Sequence, residues 1–211
     1  MINLSDGFAL RNTACCWPGG FVTHKGTVRL ETDRLILRRF AMEDIRQIFD
    51  NCWSDPEVWQ MTLYKPMRCV EDVINAAEMF TDGWLGAYDR PNRYSWAVQL
   101  KSSGEVIGRF FGMYPDDQLR QIELAYEIGR NWWNQGLTTE AAKAVIDFFF
   151  TDVGFNRICS NHAPENPASG MVMKKCGMTY EGTMRQALRC NKGIFDKVNY
   201  AILAEDYFRS R

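Results

Sequence analysis

The chain has 211 residues, 46% of them hydrophobic and 24% charged, and 25 basic against 26 acidic residues leave a formal charge of −1. This composition excludes a disordered or collagen-like chain, and the length suits one domain that buries roughly 70% of its unfolded surface. The charge balance argues against a nucleic-acid partner, and no apolar run nears the roughly 18 residues of a membrane span.

Residues 1–26 carry Gly7, Pro18, Gly19, Gly20 and Gly26 without a sustained period, and read as a loop-rich leader with no assignable role. Its start lacks the basic and then apolar pattern of a signal peptide. Residues 27–211 are expected to form one domain. A first strand is expected over 34–39. Ile45, Ile48, Phe49 and Trp53 then recur at helical spacing, as do Val70, Val73, Ile74, Ala77, Phe80 and Trp84 up to Gly83 and Gly86. Residues 94–100, 106–114 and 121–129 read as three strands. In the last, Ile122, Leu124, Tyr126 and Ile128 face one side, and Glu123, Ala125 and Glu127 the other. Residues 138–151 form the most apolar helix, with Glu140, Lys143 and Asp147 on a single stripe. A short strand over 157–161 precedes a helix over 166–175. Asn166 fits its N-cap, Pro167 its first residue and Gly177 the position just past its end. Strands over 180–185 and 194–203 close the chain, with Asn191-Lys192-Gly193 in the turn.

The seven cysteines (Cys15, Cys16, Cys52, Cys69, Cys159, Cys176 and Cys190) form no C-x-x-C pair. They are expected to be reduced thiols of a cytoplasmic protein. Cys159 and Cys176 stand in apolar company and read as small core residues. His24 and His162 are too few for a multi-histidine metal site, and no metal is expected.

Three places could carry chemistry. Trp133-Asn134-Gln135-Gly136-Leu137-Thr138-Thr139-Glu140 leads into the apolar helix. Free N–H groups at a helix start, behind a glycine, can cradle phosphate without a lysine; an ordinary capped loop has the same pattern. Glu123 and Glu127 share one face of a strand, which is either a solvated face or the site of a general base. Asn166 is either a simple cap or a ligand-binding amide, and Ser169 either a surface hydroxyl or a donor to the same ligand.

Together these segments resemble the GNAT acetyltransferase superfamily, and most closely its RimJ/RimL-like branch of ribosomal-protein N-terminal acetyltransferases. Four stretches carry the likeness: Thr32 to Arg38; Tyr126-Glu127-Ile128-Gly129 with Trp132 to Ala141; Asn166-Pro167-Ala168-Ser169 with Lys175-Cys176-Gly177-Met178; and Tyr180 to Arg185. The likeness covers about Val28 to Tyr207. It implies an α/β fold of α+β type: a mixed, mostly antiparallel sheet of about seven strands and about four helices. The sheet would be splayed between its fourth and fifth strands, residues 121–129 and 157–161. It implies acetyl-CoA as co-substrate, with its pantetheine on backbone at Tyr126 and Ile128 and on Asn166. The pyrophosphate would lie on Asn134, Gln135, Gly136, Leu137, Thr138 and Thr139. Glu123 would be the general base, and Ser169 would face the thioester sulfur. The superfamily's motif departs here at Trp133, usually Arg or Gln, a change similar to many in this branch, and at Thr138, usually Gly or Ala. Met173 replaces a tyrosine acid and cannot donate a proton, which leaves that role to Ser169 or water. The implied reaction acetylates a primary amine, either a protein N-terminus or a small amine such as a polyamine or aminoglycoside. A non-catalytic acetyl-CoA-binding module is the remaining alternative, and the protein would be a monomer or homodimer.

Overall fold

A computed structural model describes residues 20–79, 86–209 and 211. In chain order these form β1 (Leu30–Glu31), β2 (Leu35–Arg38), α1 (Asp44–Ile48), α2 (Pro56–Trp59), α3 (Val70–Met79), β3 (Tyr94–Leu100), β4 (Val106–Asp116) and β5 (Gln121–Ile128). Then follow α4 (Leu137–Phe148), β6 (Arg157–His162), α5 (Pro167–Lys175), β7 (Thr179–Cys190), β8 (Gly193–Leu203) and α6 (Ala204–Arg209). α1 and α4 each run on into a wider π-type turn, Phe49–Trp53 and Phe149–Val153.

The strands make one sheet of eight, in the order β1-β2-β3-β4-β5-β6-β8-β7. Every neighbouring pair is antiparallel except β5 and β6. One apolar layer joins the sheet to α4 and α5 through Trp96, Phe110, Ile122, Leu124, Val145, Phe149 and Met173. The other lies under α1, its π turn, α2 and α3, through Ile45, Ile48, Trp53, Trp59 and Val73. The alternation of β5 lets it serve both: its even residues join the α4 layer, and on the opposite face Glu127 pairs with Arg109 beside Trp53 of the π turn.

The mixed, splayed sheet agrees with the sequence. β1, the strand beyond the seven expected, has two residues, and α2 and α6 have four and six. None is long enough to show a period. Asp55 nonetheless caps α2 by accepting from Glu57 N at 2.9 Å. The expected helix over 69–84 is seen to Met79, and Phe80, Gly83 and Trp84 lie outside the described residues, as do Cys15, Cys16 and most of the leader. The leader's end is bound to the domain. Thr23 N donates to Val153 O at 2.8 Å, and His24 contacts Tyr94 Oη at 2.7 Å and Asp117 Oδ1 at 2.9 Å.

Candidate active site

The turn before α4 has the geometry of an anion cradle. Gly136 stands at the N-cap with φ +79°, and a Cβ there would meet only Arg34 Nη2, at 3.6 Å. Asn134 also has positive φ, and Asn134, Gln135 and Gly136 are exposed. Leu137 turns into the core, whereas Thr138 and Thr139 are half-buried in the first turn. The unpaired N–H groups of that turn therefore point past an open glycine.

Glu140 fixes this turn against the sheet. It accepts from Thr32 Oγ1 at 2.5 Å and Arg34 N at 2.9 Å, and its other oxygen accepts from Arg34 Nε at 2.6 Å. Arg34 Nη1 also donates to Gln135 O at 3.0 Å. Burial works to raise the Glu140 pKa, but hydrogen bonds from Thr32 and Arg34 outweigh it and hold the carboxyl below its ordinary value. In the sequence, Glu140 stands on a charged stripe and at the end of the stretch leading into the helix, with no partner indicated. Its partner lies 106 residues away, beyond the reach of any local pattern.

The splay lies between β5 and β6. Their parallel pairing stops after Glu123 and Cys159, although both strands continue. Ser160 Oγ donates to Leu124 O at 2.8 Å, so the even-numbered carbonyls of β5 point toward β6. By the two-residue period, the backbone groups of Tyr126 and Ile128 point into the gap beyond the last rung. Trp133 Nε1 donates to Ile128 O at 2.7 Å and takes that acceptor. Trp133 is 41% exposed, and its indole ties the cradle to the strand end. The gap-facing groups left at these two residues are the N–H and C=O of Tyr126 and the N–H of Ile128.

α5 closes the other side of the gap. Asn166 Oδ1 accepts from Ser169 N at 3.4 Å, which leaves the Asn166 NH2 group outside the cap. Gly170 lets the helix sit close, since a Cβ there would lie 2.6 Å from His162 Nε2 on β6. Ser169 is half-buried, and its Oγ lies 3.0 Å from Tyr126 Oη. Met173 is buried in the core.

The two glutamates of β5 are separated in role. Glu127 is not on a solvated face: it is 8% exposed, and its Oε1 lies 2.7 Å from Arg109 Nη2. Arg109 in turn stacks over Trp53 and Phe111. The π turn after α1 covers this pair, which one strand's alternation cannot show. Glu123 is only half-buried, and Asn161 Nδ2 donates to its Oε1 at 2.9 Å. Cys159 lies beside it at the last rung, so it is a half-buried neighbour of the site and not the core residue expected. Burial, assisted by Glu123, pushes the Cys159 thiol up, which suppresses its thiolate. Cys176 is a buried core residue as expected. On the Glu123 face the β7–β8 turn is tied to the segment after α2. Asn191 N donates to Thr62 O at 2.8 Å, and its Nδ2 to Trp59 O at 2.9 Å.

These features coincide with those of known proteins. A family model described as "Acetyltransferase (GNAT) domain" matches residues 34–179. The uncharacterized N-acetyltransferase p20 of Bacillus licheniformis is 30% identical over 178 residues, which span 84% of this chain and 97% of that protein. The [ribosomal protein uS5]-alanine N-acetyltransferase of Escherichia coli is 24% identical over 208 residues, 91% of this chain and 99% of that protein. Among solved structures, a GNAT-family acetyltransferase from Bacillus anthracis superposes with a TM-score of 0.70 at 22% identity, covering 84% of this chain and 99% of that one. The ribosomal-protein-S5-alanine acetyltransferase from Vibrio fischeri does so with 0.73 at 16%, covering 85% and 98%. With its splayed sheet, the glycine-led turn into α4 and this match across more than half its length, the chain belongs to the GNAT acetyltransferase family and is an acyltransferase.

Proposed function

We propose that the protein transfers an acetyl group from acetyl-CoA to the free α-amine of a polypeptide, with Glu123 as general base and Ser169 beside the leaving sulfur. The observation that carries this is the Glu123 carboxylate, held through one oxygen by Asn161 where the β5–β6 pairing ends. Its other oxygen can accept a proton from an amine or an intervening water. The residues around the gap suit the co-substrate. Tyr126 and Ile128 offer backbone groups to pantetheine amides, the Asn166 amide adds a donor, and the turn from Asn134 to Thr139 suits a pyrophosphate.

The amine loses its proton to Glu123 and attacks the thioester carbon. Gap-facing N–H groups stabilise the oxyanion, the attacking nitrogen gives its second proton to water, the C–S bond breaks and an amide forms. Coenzyme A leaves as the thiolate and takes a proton from solvent. Freeing an α-amine, pKa about 7.7–8.0, costs roughly 1–1.4 kcal/mol at pH 7, against roughly 4–5 for a lysine near 10.4. A single half-buried carboxylate suits the smaller demand. The named activity of the Escherichia coli relative, on an alanine of ribosomal protein uS5, supports a polypeptide acceptor. Lys197, two residues along β8 from the Asn199 that pairs with Asn161, shares the Glu123 face and disfavours a polycation.

The test is turnover of acetyl-CoA with short peptides that begin with a free alanine. Glu123→Gln should lower kcat/KM about a hundredfold at pH 7, with partial recovery as rising pH frees the amine. Full activity of the variant at every pH would remove Glu123 as the base.

A further inference from the structure

Tyr126 leaves β5 on the α5 side, and its ring stacks on Phe110 with centroids 5.0 Å apart and planes at 27°. That packing aims the hydroxyl across the gap, where Oη lies 3.0 Å from Ser169 Oγ and 3.3 Å from Ser169 O. Each hydroxyl has one proton, so two arrangements are open. In one, Ser169 donates to Tyr126 and Tyr126 donates to the Ser169 carbonyl. In the other, Tyr126 donates to Ser169 Oγ, and the Ser169 proton turns away from the tyrosine and into the gap.

We infer that Tyr126 is a positioning residue: by donating to Ser169 Oγ it frees the Ser169 hydroxyl to donate to the departing thiolate of coenzyme A. This rests on the reading above that Ser169 faces the sulfur. Negative charge growing on the sulfur selects the second arrangement, because the Ser169 proton then meets an anion and its oxygen keeps a donor. No proton need leave either residue. Burial drives the Tyr126 phenol well above its ordinary range, far above a thiol, so the tyrosine stays neutral while the thiolate departs. Solvent then protonates the free thiolate. The Phe110 stack supplies the orientation.

The thiol titration needs no acceptor. Coenzyme A is bound to the protein, and its thiolate is followed by ultraviolet difference absorbance against pH. In the wild type the bound thiol should titrate about one pH unit below its position in Tyr126→Phe, which keeps the ring and its stack on Phe110. Ser169→Ala should raise the titration at least as far, and Tyr126→Phe should add nothing in that background. With an alanine-leading peptide as acceptor, Tyr126→Phe should lower kcat about fivefold to tenfold while leaving KM for acetyl-CoA within twofold. If Ser169→Ala raises the titration and Tyr126→Phe does not, the Tyr126 role is wrong and the Ser169 role stands. Equal and additive shifts from the two variants also overturn it, since Tyr126 would then act independently of Ser169. If Ser169→Ala matches the wild type, the placement of Ser169 is wrong, and this inference falls with it. Failure of coenzyme A to bind the folded protein would refute both.

Discussion

Replacing Glu140 with alanine should loosen the cradle and lower stability by a definable amount. The variant loses an acceptor for Thr32 Oγ1 and Arg34 N, and an ion pair with Arg34. Each hydrogen bond contributes about 0.5–1.5 kcal/mol. The Arg34 side chain is 50% exposed, so its pair is discounted to about 0.5 kcal/mol or less. The sum is about 2 kcal/mol. At 2–4 °C per kcal/mol for a domain of this size, Tm should fall by about 4–8 °C. The pH dependence has a fixed sign. The Glu140 carboxyl lies below its ordinary value of 4.5, so its contribution is present above that pH and is lost as pH falls through the folded value. Thermal unfolding at pH 7 and at steps below 4.5 should therefore show the difference between wild type and variant shrinking with acid. Arg34, released from Glu140, should also hold the Gln135 carbonyl less firmly, and acetyl-CoA should bind several-fold more weakly. An unchanged Tm at pH 7, or a difference that widens in acid, would refute this account of the turn.

Gly170→Ala should push α5 away from β6, because the new Cβ would lie 2.6 Å from His162 Nε2. Destabilisation of about 1–3 kcal/mol is expected in denaturant titration, with kcat falling more than acetyl-CoA affinity. Cys159→Ser should leave turnover within twofold, and iodoacetamide should label Cys159 slowly at pH 7, since burial raises its thiol. Rapid labelling coupled to loss of activity would contradict that placement.

The parts of the site that were legible in the sequence are those built from local signals. Pro167 after Asn166, and Gly177 at φ +81°, place α5 as its end residues dictate. Gly136 before an apolar helix gives the cradle for the same reason. The alternation of β5 placed Glu123 and Tyr126 on opposite faces correctly, but a strand's period says nothing of what covers each face. Glu127 is thus buried with Arg109 under the π turn, and Cys159 emerges beside Glu123. Links between distant segments were invisible for the same reason. Thr32 and Arg34 on Glu140, and Tyr126 on Ser169, depend on three-dimensional approach. β7 reaches Cys190 although 180–185 alone read as strand, because irregular register between Met184 and Leu188 breaks its alternation.

Calorimetric titration of acetyl-CoA into the purified protein, beside Gly136→Trp, tests the central claim most directly. The glycine position is open, so the variant should fold, at a cost of about 1–2 kcal/mol for a left-handed non-glycine residue, and circular dichroism checks that it does. The account predicts micromolar binding by the wild type and its loss in the folded variant. Absence of binding by the folded wild type, or equal binding by both proteins, would contradict the placement of the co-substrate on the turn into α4.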